Sequence, residues 1–292
     1  MQPPAPTPAV AAPASSGERM AVQRARLAQR LPVDPLGIVG LVVLVALWWA
    51  VTALGLVSPV FLPPPGQVAQ AIADNLFASP YFETYNVGTG GIVGSLVYTV
   101  SNVLIALAIA CVLGILFGLV SARLDLVRSI LDPIMLTVGT LPILVTAPFF
   151  LIWFATDRAA QVVLVLLYQV TIIYVFTQRA VANLDPIYEA AAHTLGARRS
   201  KILRDVYLVG TLPEVFGGIR IALAGAWGLE AISELLGAPE GVGRVIQALA
   251  SSSDVPTIIA TVLVLAIVAV LFDAVVAGVF GYITRWRAAE RV

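Results

Sequence analysis

The chain has 292 residues, 59% of them hydrophobic and only 12% charged, with a formal net charge of zero. Soluble domains carry charge on about a quarter of their residues, so an ordinary water-covered globule is excluded, and the neutral balance gives no support to nucleic-acid binding. At about 20 apolar residues per helical crossing, the chain holds roughly five to seven membrane spans with short loops. The single cysteine, Cys111, lies in an apolar run, which excludes an intrachain disulfide and reads as a small buried hydrophobe.

Residues 1–33 differ from the rest. MQPPAPTPAVAAPASSG is rich in Pro, Ala and Ser and cannot bury a face, so it reads as disordered. Arg19, Arg24, Arg26 and Arg30 follow it and directly precede the first apolar run. A signal peptide places its basic region first, so the expectation is a cytoplasmic tail with a basic end, followed by a transmembrane domain over residues 34–292.

Apolar runs fall at about 36–57, 93–120, 134–154, 162–181, 215–236 and 257–283. They lack the alternation of a membrane β-barrel and are long enough for helices, so the expected class is an all-α integral membrane protein of about six spans. Between the first two runs, FLPPP (Phe61–Pro65) reads as a stopper, and GQVAQAIADNLF as a short amphipathic helix on the outer face. Gly88–Gly94 reads as a flexible entry to span two. Pro142 and Pro148 predict a kinked third span packed against protein. Arg220, Glu230 and Glu234 interrupt the fifth. With the N-terminus inside, every Lys and Arg except Arg158 and Arg244 falls on the cytoplasmic side, as positive charge requires, and the C-terminus is inside too.

The longest cytoplasmic connection, about 182–211, reads ANLDPIYEAAAHTLGARRSKILRDVYLVGT. Asp185 can cap a helix that Pro186 opens, and Gly196 can end it. ARRSKILRDVYL then predicts a second helix with a basic face. Two short helices joined by glycine make a knob suited to docking a soluble partner; a basic loop lying on anionic lipid is the alternative.

Glu189-Ala-Ala-Ala-His-Thr-Leu-Gly196, followed by Leu212-Pro213, resembles the "EAA" loop of permease subunits in bacterial ATP-binding-cassette importers. The resemblance covers about residues 60–285 and is strongest to the group that serves taurine, aliphatic sulfonates, nitrate and thiamine precursors. Leu62-Pro63, Asp132-Pro133, Leu141-Pro142, Gly218-Ile-Arg-Ile-Ala-Leu223, Ala226-Trp227, Glu234 and the Gly241-Val-Gly243 turn are similar in order and spacing. Two positions depart from the pattern. Ala190 stands where the family has its Glu, one place after Glu189, and Val209 replaces a proline.

The resemblance implies a type I importer permease fold in a bacterial inner membrane. It implies two cytoplasmic ATP-binding subunits, a second permease copy, an extracytoplasmic binding protein and surrounding lipid as partners. It also implies that the loop seats in a cleft of the ATPase through Glu189, Ala190, Ala191, His193, Thr194, Leu195, Gly196 and Arg199. ATP and Mg would belong to the partner, with no cofactor on this chain.

The residues agree with a non-catalytic role. A phosphate-binding loop needs Gly-Lys-Ser/Thr, whereas the only lysine, Lys201, follows Ser200. His193 is the only histidine, so no His cluster can hold a metal, and Ser95 and Ser101 have no base nearby in sequence. Ionisable groups within spans cost about 2.5–3.5 kcal/mol and mark function. Glu230 and Glu234, four apart, share a helix face; Asp273 sits in span six and Arg220 near the inner end of span five. These four read as a translocation path or dimer interface, or, for the two glutamates, as hydrogen-bonded packing near the outer mouth. A rival assignment is a secondary transporter driven by an ion gradient, with Glu230, Glu234 and Asp273 as relay; it calls for inverted repeats, which are not visible. The expected cargo is a sulfonate, nitrate or similar small anion, with a neutral or cationic heterocycle as the alternative.

Overall fold

The computed structural model describes residues 35–84, 87–154 and 157–284. The tail over 1–33 and the basic residues Arg285, Arg287 and Arg291 lie outside the described residues. The described chain is helical without strands and divides into two units, Met1–Pro59 and Val60–Val292.

The first unit holds α1 (Pro35–Ala53), whose 19 residues rise about 28 Å and match the hydrocarbon thickness. The second opens with α2 (Pro65–Asn75), α3 (Pro80–Thr84) and the long α4 (Gly91–Ser121). The sequence GQVAQAIADN does form a helix: Pro65 occupies its first position, and Val68 and Ala71 are buried as α2 packs against the last helix of the chain. Next come α5 (Asp125–Thr140), α6 (Ile143–Phe154) and α7 (Arg158–Ala182). Then follow α8 (Pro186–Thr194), α9 (Arg199–Ile202), a π turn (Leu203–Leu208), α10 (Val209–Leu235), α11 (Val242–Ser251) and α12 (Val255–Ile283). Five helical runs are long and apolar enough to cross a membrane, or six if α5 and α6 together make one span.

The third span is broken where a kink is expected. α5 and α6 meet at 106°. Leu141, the residue before Pro142, takes an extended conformation (φ −63°, ψ 132°), because a following proline disfavours the helical region. Asp132, of the Asp132-Pro133 pair, holds α5 to α7: the Tyr174 hydroxyl (2.6 Å) and the Gln178 amide (2.8 Å) both donate to its carboxylate.

The second helix expected in the long loop is also corrected. α9, the π turn and α10 form one run from Arg199 to Leu235, so ARRSKILRDVYL is the end of span five and not a separate element. The segment carries no stop signal: its first glycine is Gly210, and Pro213 lies inside α10, preceded by the local widening of the π turn.

The core is built on α4, α7 and α10. A Cβ at Gly114 would stand 2.8 Å from the side chain of Ile173, and one at Gly118 would stand 2.6 Å from that of Thr177. Small residues thus let α4 and α7 approach backbone to backbone, the means by which helices associate without a hydrophobic driving force.

Candidate functional site

Functional side chains gather at the two ends of this bundle. At one end stands α8. The Asp185 side chain accepts a hydrogen bond from the Ile187 N–H (2.9 Å), Pro186 opens the helix, and Gly196 closes it at φ +74°. Ala197 N–H bonds back to Ala192 O (3.0 Å) and Gly196 N–H to His193 O (2.9 Å), the paired bonds of a Schellman cap that needs a left-handed residue. No residue of α8 is buried. Ala190, Ala191, His193, Thr194, Gly196 and Arg199 are all exposed. So are three large apolar side chains: Ile187 at 64%, Tyr188 at 55% and Leu195 at 86%. Ile187 and Tyr188 lie outside the expected contact set but share its exposure. Their signal in the sequence is the four-residue spacing Ile187–Ala191–Leu195, an apolar stripe on a helix too short to hide it.

Glu189 faces the other way. Its carboxylate receives Arg123 Nη2 at 2.6 Å and the Tyr207 hydroxyl at 2.5 Å, with His193 Nε2 at 3.6 Å. Arg123 lies just beyond α4 and its guanidinium also covers the Tyr207 ring at 3.8 Å. The Arg123 hydrogen bond, and after it the Tyr207 hydroxyl, hold the Glu189 carboxyl down to about 2.

At the opposite end Glu230 and Glu234 are fully buried. Thr99 of α4 donates to Glu234 Oε1 (2.7 Å) and Gly243 N–H to Oε2 (2.8 Å), while Val242 N–H donates to the Thr99 hydroxyl (3.0 Å). Glu234 and the Gly241-Val242-Gly243 turn, separate in the sequence, are therefore one structure. The turn can close over the carboxylate because Gly241 (φ +105°) and Gly243 have no Cβ; either Cβ would strike Glu234 or the α10 backbone. Asn102 donates to Glu230 Oε1 (2.7 Å) and to Gln161 Oε1 (3.1 Å), and Arg158 Nε donates to Asn102 Oδ1 (2.5 Å). Arg158 also bonds to Ser101. Neither glutamate reaches a surface of the chain. Donors from α4 and from the turn before α11 surround both carboxylates, the condition under which a buried carboxylate is tolerated. Thr99, Asn102, Gln161 and Arg158 are the residues that sequence reasoning lacks; polar side chains three apart, Thr99 and Asn102 in α4 and Arg158 and Gln161 in α7, were their trace.

Arg220 and Asp273 pair with each other, Nε to Oδ1 at 2.8 Å and Nη2 to Oδ2 at 2.6 Å, tying α10 to α12. Their side chains remain 47% and 41% exposed on the flank of the bundle. Among the described residues no group of His, Cys, Asp and Glu is arranged to hold a metal.

Long apolar helices, a buried polar knot at one end and a protruding helix with a bare apolar face at the other define the membrane-spanning subunit of a transporter. The chain belongs to the family of binding-protein-dependent transport system inner membrane components, whose model matches residues 114–288. It is a permease subunit of the ATP-binding-cassette importer class, located in the inner membrane. It is 30% identical over 264 residues to the taurine transport system permease protein TauC of Escherichia coli strain K12, covering 89% of this chain and 94% of that one. It is 26% identical over 242 residues to the formylaminopyrimidine transport permease protein ThiX of Halalkalibacterium halodurans, covering 83% and 92%. Its fold is similar to that in inward-facing structures of the MetNI methionine ABC transporter, with a TM-score of 0.57 at 18% identity over 64% of this chain and 93% of that one.

Proposed function

We propose that this chain is the permease of an ATP-driven importer that carries a small sulfonate, nitrate or related anion inward. Two copies form the pathway, two ATP-binding subunits dock from the cytoplasm, and a soluble binding protein delivers the cargo from outside. ATP and Mg are bound and used by the docked subunits. The observation that carries the reading is the exposed face of α8, where Ile187, Tyr188 and Leu195 leave apolar area in water beside the small residues Ala190 and Ala191. Burying such area is worth about 25 cal/mol per Å², and a helix capped at both ends is a rigid key for a cleft. The similarity to a taurine permease supports a sulfonate; the similarity to a formylaminopyrimidine permease supports the heterocycle as second choice.

The test is affinity co-purification of the tagged chain from its native membrane, followed by ATPase assay. An ATPase that accompanies the parent chain and is released by Leu195→Asp or Gly196→Arg, with unchanged thermal stability, is the expected result. A chain that purifies alone and moves solute under an ion gradient refutes the reading.

A further inference from the structure

Within this reading we infer that Glu189 is a positioning residue inside the permease, clasping α8 to α4 and to the foot of the α9–α10 run through Arg123 and Tyr207, so that movement of α8 is carried into the spanning helices.

Both carboxylate oxygens of Glu189 are occupied from within the chain. Arg123 Nη2 and His193 lie beside Oε1, and Tyr207 and Arg123 Nη1 (3.4 Å) beside Oε2. At 100° per residue Glu189 falls roughly opposite the stripe of Ile187, Ala191 and Leu195. A partner seated on that stripe meets the apolar side chains and not the carboxylate.

α8 has little else to pull with. It buries no residue, and its half-buried Ala192 packs against the small cluster of Leu119, Ile202 and Tyr207. An alanine-sized contact can slide, whereas a guanidinium and a phenol converging on one carboxylate fix both position and direction. The two arms are also well placed. Arg123 follows Ser121, the last residue of α4, and Tyr207 lies in the π turn that leads into α10. A displacement of α8 therefore acts on two core helices at once. This accounts for a glutamate at 189 where the family pattern has it at 190: position 190 lies on the exposed side, position 189 on the clasp side.

The test uses the complete complex in lipid nanodiscs. Spin labels are placed at Arg244→Cys, at the far end of the bundle, in a Cys111→Ser background, and the distance between the two copies is read before and after ATP with vanadate. Co-purified ATPase is measured on the same samples. Glu189→Ala and Arg123→Glu should retain the ATPase at parental levels while the ATP-driven distance change falls several-fold. Glu189→Gln, which keeps the Tyr207 bond, should fall between, and the exchanged pair Glu189→Arg with Arg123→Glu should recover most of the change. A normal distance change in Glu189→Ala overturns the clasp. Loss of the ATPase in Glu189→Gln, without recovery in the exchanged pair, makes Glu189 a partner contact and overturns it too. A parent chain that retains no ATPase removes the importer reading and the clasp with it.

Discussion

Replacing Glu234 by alanine should loosen the end of the bundle where α4, α10 and α11 meet, and the magnitude can be worked from its partners. The carboxylate accepts from Thr99 at 2.7 Å and from Gly243 N–H at 2.8 Å, and all of these groups are buried. A buried polar group left without its partner costs about 1–3 kcal/mol, so two such losses amount to roughly 2–6 kcal/mol. The void beside Gly241 and Gly243 adds to this, and relief from burying a carboxylate subtracts. A net loss of about 2–4 kcal/mol is expected. At about 2–4 °C per kcal/mol for a chain of this order, the apparent melting temperature should fall by roughly 5–15 °C. Glu234→Gln should stay within a few degrees, since its carbonyl can still accept from Gly243 while Thr99 turns its hydroxyl to Ser95 O, already 3.2 Å away. The single thiol, Cys111, supplies the readout with a thiol-reactive fluorophore during a thermal ramp in detergent. An alanine variant that melts with the parent, or a glutamine variant as damaged as alanine, refutes the pinning role.

The Glu189 clasp should respond to acid. Its carboxyl is held at about 2 against an ordinary 4.5, and a depressed folded value means the stabilisation is complete above pH 4.5 and fades as pH falls toward 2. Hydrogen-exchange protection over residues 186–196, taken relative to the intrinsic amide rate at each pH, should fall across that window in the parent and stay flat in Glu189→Gln; a flat parent profile refutes the tie. Gly118→Leu should abolish folded protein because even a Cβ meets Thr177, whereas Gly278→Ala, with open space around it, should be neutral or raise stability by about 0.5–1 kcal/mol, measured by the same melting assay. Arg220→Ala or Asp273→Ala should each lower the melting temperature more than the double variant does, since each single change strands a charge on the flank of the bundle. Additive losses in that cycle mean the pair is not coupled.

Span number, the capped loop helix and the absence of a phosphate-binding loop were legible in the sequence because each rests on local chemistry. About 20 apolar residues must cross as a helix, Asp185-Pro186 opens α8, and Gly196 closes it whatever surrounds them. Leu141-Pro142 announced a distortion of the third span but not its size, since the same proline can kink a helix or break it at 106° according to what the two halves pack against. The length of span five was hidden for the complementary reason: Arg199–Leu208 looks like a separate polar helix until one sees that nothing in it stops the turn from continuing into α10. Glu234 and the Gly241-Val242-Gly243 turn were both visible, as were Arg220 and Asp273, but not as partners. Spacing along one helix reveals which residues share a face, while contacts such as Thr99 to Glu234, 135 positions apart, and Arg123 to Glu189, 66 apart, exist only once packing brings different helices together. Local sequence thus determined what crosses the membrane and what protrudes from it. Tertiary structure alone decided which polar groups are sealed inside and which are left exposed, because a polar group in an apolar interior is stable only beside a partner that the linear order does not name.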